Sequence, residues 1–167
     1  MNRSIPFILI FIVSSVFADC QSPVFKPSFS VAFDSVYGPT LLGQCSRCVP
    51  KGINGFWTIT STDMQALENN FRNIDSLTTK EQQCGVINAS ISRLERYAFQ
   101  YIGVMINGRR FIYINAFPAN EVEDLKKNHA DPSKYPLIMC DGGDYYWGAL
   151  FDVETKQFSD LAFNGNA

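Results

Sequence analysis

The stretch YAFQYIGVMINGRRFIYINAFP, residues 97 to 118, constrains the fold more than any other part of the chain. Its two runs of aromatic and β-branched residues are separated by Asn107-Gly108, the pair that best accommodates the positive φ angles of a type I′ hairpin turn. With that turn fixed, Ile106 lies opposite Arg109 and the register of the hairpin follows. One face then collects Phe99, Tyr101, Met105, Ile112 and Ile114, and the other Ile102, Val104, Ile106, Phe111 and Tyr113. Both faces are apolar, so both have to be covered, and one helix can cover only one of them. The second face needs the amino-terminal arm, a short helix or a partner chain.

Covering material precedes the hairpin. In GFWTITSTDMQALENNFRNIDSL, residues Met64, Leu67, Phe71, Ile74 and Thr78 recur at helical spacing, and Thr60 with Asp63 forms a capping-box pattern. The spacing predicts one long helix. Residues 79 to 95 fit neither a helix nor a loop cleanly. After the hairpin, a loop with two helical turns through Val122 and Leu125 ends at Asp131-Pro132. Two further strands are expected in YPLIMC and DYYWGALFD, the latter returning through VETK to QFSDLAFNG as a tail hairpin. The expected fold class is α+β, one long helix packed on an antiparallel meander of about four strands. This element order resembles the cystatin-like arrangement.

The amino terminus, MNRSIPFILIFIVSSVFA, reads as a secretory signal over residues 1–18, with Arg3, an apolar run from Ile5 to Val13, and Val16 and Ala18 spaced for signal peptidase. The run is short for a permanent span, and no later stretch approaches the roughly 20 apolar residues that a membrane helix needs. Removal of the signal leaves about 149 residues, the size of one domain. Residues 19–55 carry Pro23, Pro27, Pro39 and Pro50 and read as an irregular, disulfide-tied arm, followed by a single α+β domain over 56–167. A net charge of -2 with scattered charged residues offers no footprint for nucleic acid or an anionic membrane surface.

All five cysteines lie beyond the signal, where an oxidising compartment favours pairing. Cys45, Cys48, Cys84 and Cys140 are expected to form two disulfides that fasten the arm to the helix and sheet. Pairings in which Cys45 and Cys48 each reach Cys84 or Cys140 are favoured, because long closed loops restrict the unfolded chain most. Cys20 is left over. It is the candidate for lipidation, although Asp19 and Phe17 depart from a lipobox. Asn88-Ala89-Ser90 is a glycosylation sequon, which matters only in a eukaryotic source.

The stretch CDGGDYYWGALFD, residues 140–152, is the most chemically suggestive. A calcium loop needs several oxygen ligands at fixed spacing, and Asp141 with Asp144 around two glycines are too few. The same residues suit a tight turn, so no metal and no cofactor is expected. Cys140 as a nucleophile requires a base, and His129 in a polar loop is the one histidine of the chain. Cys45-Ser46-Arg47-Cys48 has redox spacing, yet it lies in a Pro/Gly-rich arm and not at the strand-to-helix junction of a thioredoxin-like site. No catalytic residue is assigned. Tyr145, Tyr146 and Trp147 are either sheet core or ligand contacts, since aromatic side chains supply large rigid contact area.

Tyr101, Gly103, Gly108, Arg109 and the run YINAFP, followed by CDGG, WG, FD and FNG, resemble an uncharacterised group of small exported bacterial proteins over Phe56 to Gly165. That resemblance implies export, to the periplasm or the extracellular space, and brings no known activity with it. The expectation from the residues is an exported, non-enzymatic binding or inhibitor-like module. Its partner would be a protein, a small ligand or a second copy of the chain, taken on the second sheet face. The alternative is a thiol-dependent enzyme or redox protein using Cys140 or the Cys45/Cys48 pair.

Overall fold

The computed structural model describes residues 24–78 and 90–165. The expected signal peptide, Cys20, Cys84 and Asn88 lie outside the described residues.

A six-stranded mixed sheet dominates the molecule: β1 (Ser30–Ala32), β2 (Ile53–Trp57), β3 (Tyr97–Ile106), β4 (Arg109–Pro118), β5 (Trp147–Asp152) and β6 (Phe158–Phe163). Among the described residues three short α-helices accompany it, α1 (Gly38–Leu42), α2 (Ser61–Asn70) and α3 (Val122–Lys127). The central hairpin β3–β4 has Ile106 opposite Arg109, with Asn107 at φ 50° and Gly108 at φ 77° in the turn. From β4 the sheet continues antiparallel through β5 to β6. Between β5 and β6 the register slips at a bulge, where exposed Asp160 takes φ 51°. On the other side, β1 runs parallel to β3 along Phe99–Tyr101 while β2 runs antiparallel to it along Gly103–Ile106. The two short strands therefore share one edge end to end.

The expected long helix on a four-strand meander is corrected in three respects. First, the Thr60–Asp63 capping box forms as expected, but α2 stops at Asn70. The chain tightens into a 3-10 turn over Phe71–Ser76, because Asn and Ser side chains bond the local backbone: Asn70 donates to the Ala66 carbonyl at 2.8 Å and Ser76 to that of Asn73 at 2.8 Å. Secondly, the amino-terminal segment supplies β1 and β2, so the sheet gains a parallel pairing. Thirdly, YPLIMC is not a strand; its backbone is held by side-chain amides.

The two faces are filled differently. On one, Leu67 of α2 with Phe71 and Ile74 of the 3-10 turn seal Phe99, Tyr101, Ile112, Ile114, Trp147 and Phe151 into a dry core. Phe71 stands 4.6 Å from Phe99 and 5.9 Å from Phe158, centroid to centroid. The other face carries two smaller clusters. Phe33, Leu41 and Leu42 cover Ile102, Val104, Tyr113 and Leu150, while Val122 and Tyr146 pack with Ala98 and Phe117. The chain's own arm and the segment after α3 thus occupy the face that was expected to receive a partner.

Between those two clusters lies a belt of buried polar side chains, Gln44, Arg47, Gln100 and Asn115. Gln100 donates to the carbonyls of Pro132 (2.8 Å) and Tyr135 (2.9 Å) and accepts from the Leu137 N–H (2.8 Å). Asn115 donates to Gln100 and to the Leu137 carbonyl (3.0 Å), and Gln44 donates to that carbonyl (3.0 Å) while accepting from the Met139 N–H. Buried backbone groups must find partners somewhere, and these carboxamides replace a neighbouring strand. Arg47 donates to Asn115 Oδ1, and burial lowers its pKa. Gly148 sits opposite Asn115 on β5, where a Cβ would come within 2.6 Å of the Tyr113 hydroxyl.

Candidate functional site

At the end of the sheet near Asn115, the belt grades into a clamp on the CDGG loop. Asn164, fully buried after β6, donates to the carbonyls of Met139 (2.7 Å) and Asp141 (3.0 Å). Cys140 is bridged to Cys45, 95 residues earlier. Gly142 then takes φ +98°, and a Cβ there would fall 2.4 Å from the ring of Tyr146. The glycine is required both by the left-handed turn and by the tyrosine packed beneath it. CDGG is a turn in its backbone, and that turn builds one wall of a cleft.

The cleft, about 630 Å³, is bounded by the turn before β3, the end of β4 with the turn after it, and this loop. Its lining includes Glu95, Arg96, Tyr97, Pro118, Asn120, Glu121, Gly142, Tyr145 and Tyr146. Tyr145 is 56% exposed. Tyr146 is buried and donates its hydroxyl to Glu121, 2.6 and 2.8 Å from the two carboxylate oxygens. Burial, and next the bond to that carboxylate, raise the Tyr146 hydroxyl pKa well above that of an ordinary phenol, so the tyrosine keeps its proton and remains the donor. Tyr97 is pushed up as well, first by burial, and its hydroxyl donates to the Asp144 carbonyl at 3.5 Å. Glu95 is held low by its own backbone N–H and by Arg72, with which it pairs at 2.8 Å.

Two of the three candidate aromatic contacts, Tyr145 and Tyr146, therefore line the cleft. Trp147 does not: strand alternation turns it to the opposite face, where it is fully buried with its ring 5.5 Å from that of Tyr97. Asp141 and Asp144 join no metal-binding group, since no cluster of three or more His, Cys, Asp or Glu side chains suited to a metal occurs among the described residues. His129 lies in the exposed turn after α3, at φ 60°. Cys140 in its bridge to Cys45 is not a resting thiolate, and Cys48 is disulfide-bonded too. Cys45 and Cys48 are thus not a closed redox pair.

Among the described residues the cleft lining holds no Ser, Cys or His, and its carboxylates are Glu95 and Glu121. A general acid working near neutrality needs a raised carboxyl pKa, and the Glu95 shift runs the other way. The cleft brings together an exposed ring, a fixed carboxylate, an amide and a guanidinium around an open volume. Glu121, Asn120 and Tyr97 do not stand out in the sequence, because polar residues at strand ends carry no distinguishing pattern. No family model matches the chain, and the comparisons with curated proteins and with solved structures gave no match.

Proposed function

We propose that this chain is an exported, non-enzymatic binding module whose ligand enters the cleft between Glu121 and Tyr145. The observation that carries the reading is Tyr145, a large ring left over half exposed in a cleft whose Glu121 carboxylate is already fixed by the Tyr146 hydroxyl. Clefts of this size with a few oriented polar groups are the common form of a small-ligand site. Export is supported by the amino-terminal signal pattern and by the Cys45–Cys140 bridge, which belongs to an oxidising compartment. No helix of the described residues is long and apolar enough to cross a membrane.

Thermal-shift screening of the disulfide-intact chain against sugars, amino acids, quaternary amines and short peptides tests the reading. A ligand that raises Tm for the natural chain, fails to do so for Tyr145→Ala, and is recovered chemically unchanged after prolonged incubation is the expected result. Ligands whose effect is the same on both chains, or which are converted to product, would refute it.

A further inference from the structure

We infer that the ligand of the cleft is a neutral saccharide, an inference that rests on the cleft being the binding site and adds the chemistry of its occupant. A sugar ring has apolar C–H faces and an equatorial fringe of hydroxyls, each both donor and acceptor. A site for it must combine aromatic faces with planar polar groups, and it needs both donors and acceptors.

The cleft has this composition. Tyr145 presents an exposed ring, with Tyr97 and Tyr146 also in the lining. Glu121 accepts, Arg96 donates, and the Asn120 amide does both. Glu121 does not have to be ordered on binding, because the Tyr146 hydroxyl already holds it. Such preorganisation lowers the entropic cost of recognition.

Charge narrows the class further. Of the formal charges in the lining, Glu121 is matched by Arg96 and Glu95 by its pair with Arg72, while Asp144 next to Tyr97 adds a negative charge that further disfavours anions. A cationic ligand would meet Arg96 and an anionic one would meet Glu121, so each gains attraction from one wall and repulsion from the other. A neutral polyhydroxyl compound meets no such penalty and can use both groups as hydrogen-bond partners. The volume, about 630 Å³, lies within the range of roughly 300–1,000 Å³ typical of small-ligand sites.

Trp147 supplies a built-in reporter, since its ring lies against Tyr97 on the far side of the cleft wall. The disulfide-intact chain is titrated with cellotetraose, chitotetraose, xylotetraose and maltotetraose, following tryptophan emission and heat. Tetramethylammonium chloride and citrate serve as cationic and anionic probes. At least one tetrasaccharide is expected to bind, with affinity that changes little between 50 and 500 mM salt, weakens at least tenfold in Tyr145→Ala and several-fold in Glu121→Gln, with circular dichroism unchanged in both variants. Binding of none of the four sugars overturns the saccharide assignment. If tetramethylammonium or citrate then binds and is lost in Tyr145→Ala, the cleft stands and only its ligand class falls. Sugar binding that survives both substitutions overturns the cleft itself.

Discussion

The two faces of the sheet are covered by the same chain in different ways. On the first, α2 and the turn after it present Leu67, Phe71 and Ile74 to a ring-rich core. A helix satisfies most of its own backbone, so its whole inner side can be apolar. On the second, the cover between Pro132 and Asp141 is neither helix nor strand. Its carbonyls and N–H groups are met by Gln44, Gln100, Asn115 and Asn164, and the apolar surface is divided in two as a result. A face covered by irregular chain gives up apolar area for hydrogen-bonding side chains, and what it gains is a firmly held loop.

The largest expected effect lies on the dry face. Phe71→Ala should cost about 3 to 5 kcal/mol in urea unfolding, the usual range for removing a fully buried ring. Its effect should spread through the whole core, and a loss below about 1 kcal/mol would mean that the helix is not what seals that face.

On the second face, replacing Cys45 and Cys140 together by Ser should cost up to about 4.7 kcal/mol, the loop-entropy value for a loop spanning 95 residues. Hydrogen exchange should rise first in 137–142 and around Leu41–Leu42. Uniform loss of protection over both faces would erase the distinction drawn between them.

Asn115→Leu removes the acceptor of buried Arg47 and one of the two donors to the Leu137 carbonyl, which keeps its bond from Gln44. A destabilisation of about 1 to 3 kcal/mol is expected, the usual cost of one buried group left unpaired. Increased proteolysis between 132 and 141 should accompany it, and a neutral or stabilising outcome would show that the belt is not what holds that segment.

The smallest effect concerns acid. Burial alone would raise the Asp152 carboxyl, yet the N–H groups of Thr155 and Glu154 together with Arg109 outweigh it and hold it below its ordinary value. A carboxyl with a lowered folded-state pKa adds stability that is full above the unfolded value, near pH 4, and is lost as pH falls through the folded one. Asp152→Asn should therefore flatten the acid limb of stability below about pH 4 while costing on the order of 1 kcal/mol at neutrality. Urea midpoints collected from pH 2.5 to 7 check it, and parallel acid limbs in the two proteins would count against this role.

Features with short-range signals are legible in the amino-acid sequence. Asn107-Gly108 sets the register of β3 and β4, Thr60 with Asp63 marks the start of α2, and the tail hairpin follows from its turn residues. The end of α2 is not legible, because the periodicity of Phe71 and Ile74 continues through the 3-10 turn and hides the change. β1 and β2 escape a reading of the sequence since each is short, lies among prolines and glycines, and is stabilised by the distant β3. The belt does leave a trace. Gln100 and Asn115 interrupt two apolar runs and fall opposite each other in the register set by the turn, which marks a polar crossing on an otherwise apolar face. Nothing in the local pattern says that their partners are backbone groups more than 20 residues away. For the cleft, the aromatic cluster points to the right loop, while Glu121 and Asn120 become relevant only when β4 brings them beside it.

The bulge in β6 has a consequence for how the molecule behaves among its own copies. Among the described residues β6 ends the sheet, and an edge strand presents unpaired backbone groups, the usual template for one protein to zip onto another. At its middle, exposed Asp160 breaks the regular extended backbone and places a negative charge on that rim. A second molecule approaching edge-on would meet its own Asp160 charge and a ladder out of step, so the outermost strand resists fibril growth at the point where it would otherwise be most exposed to it.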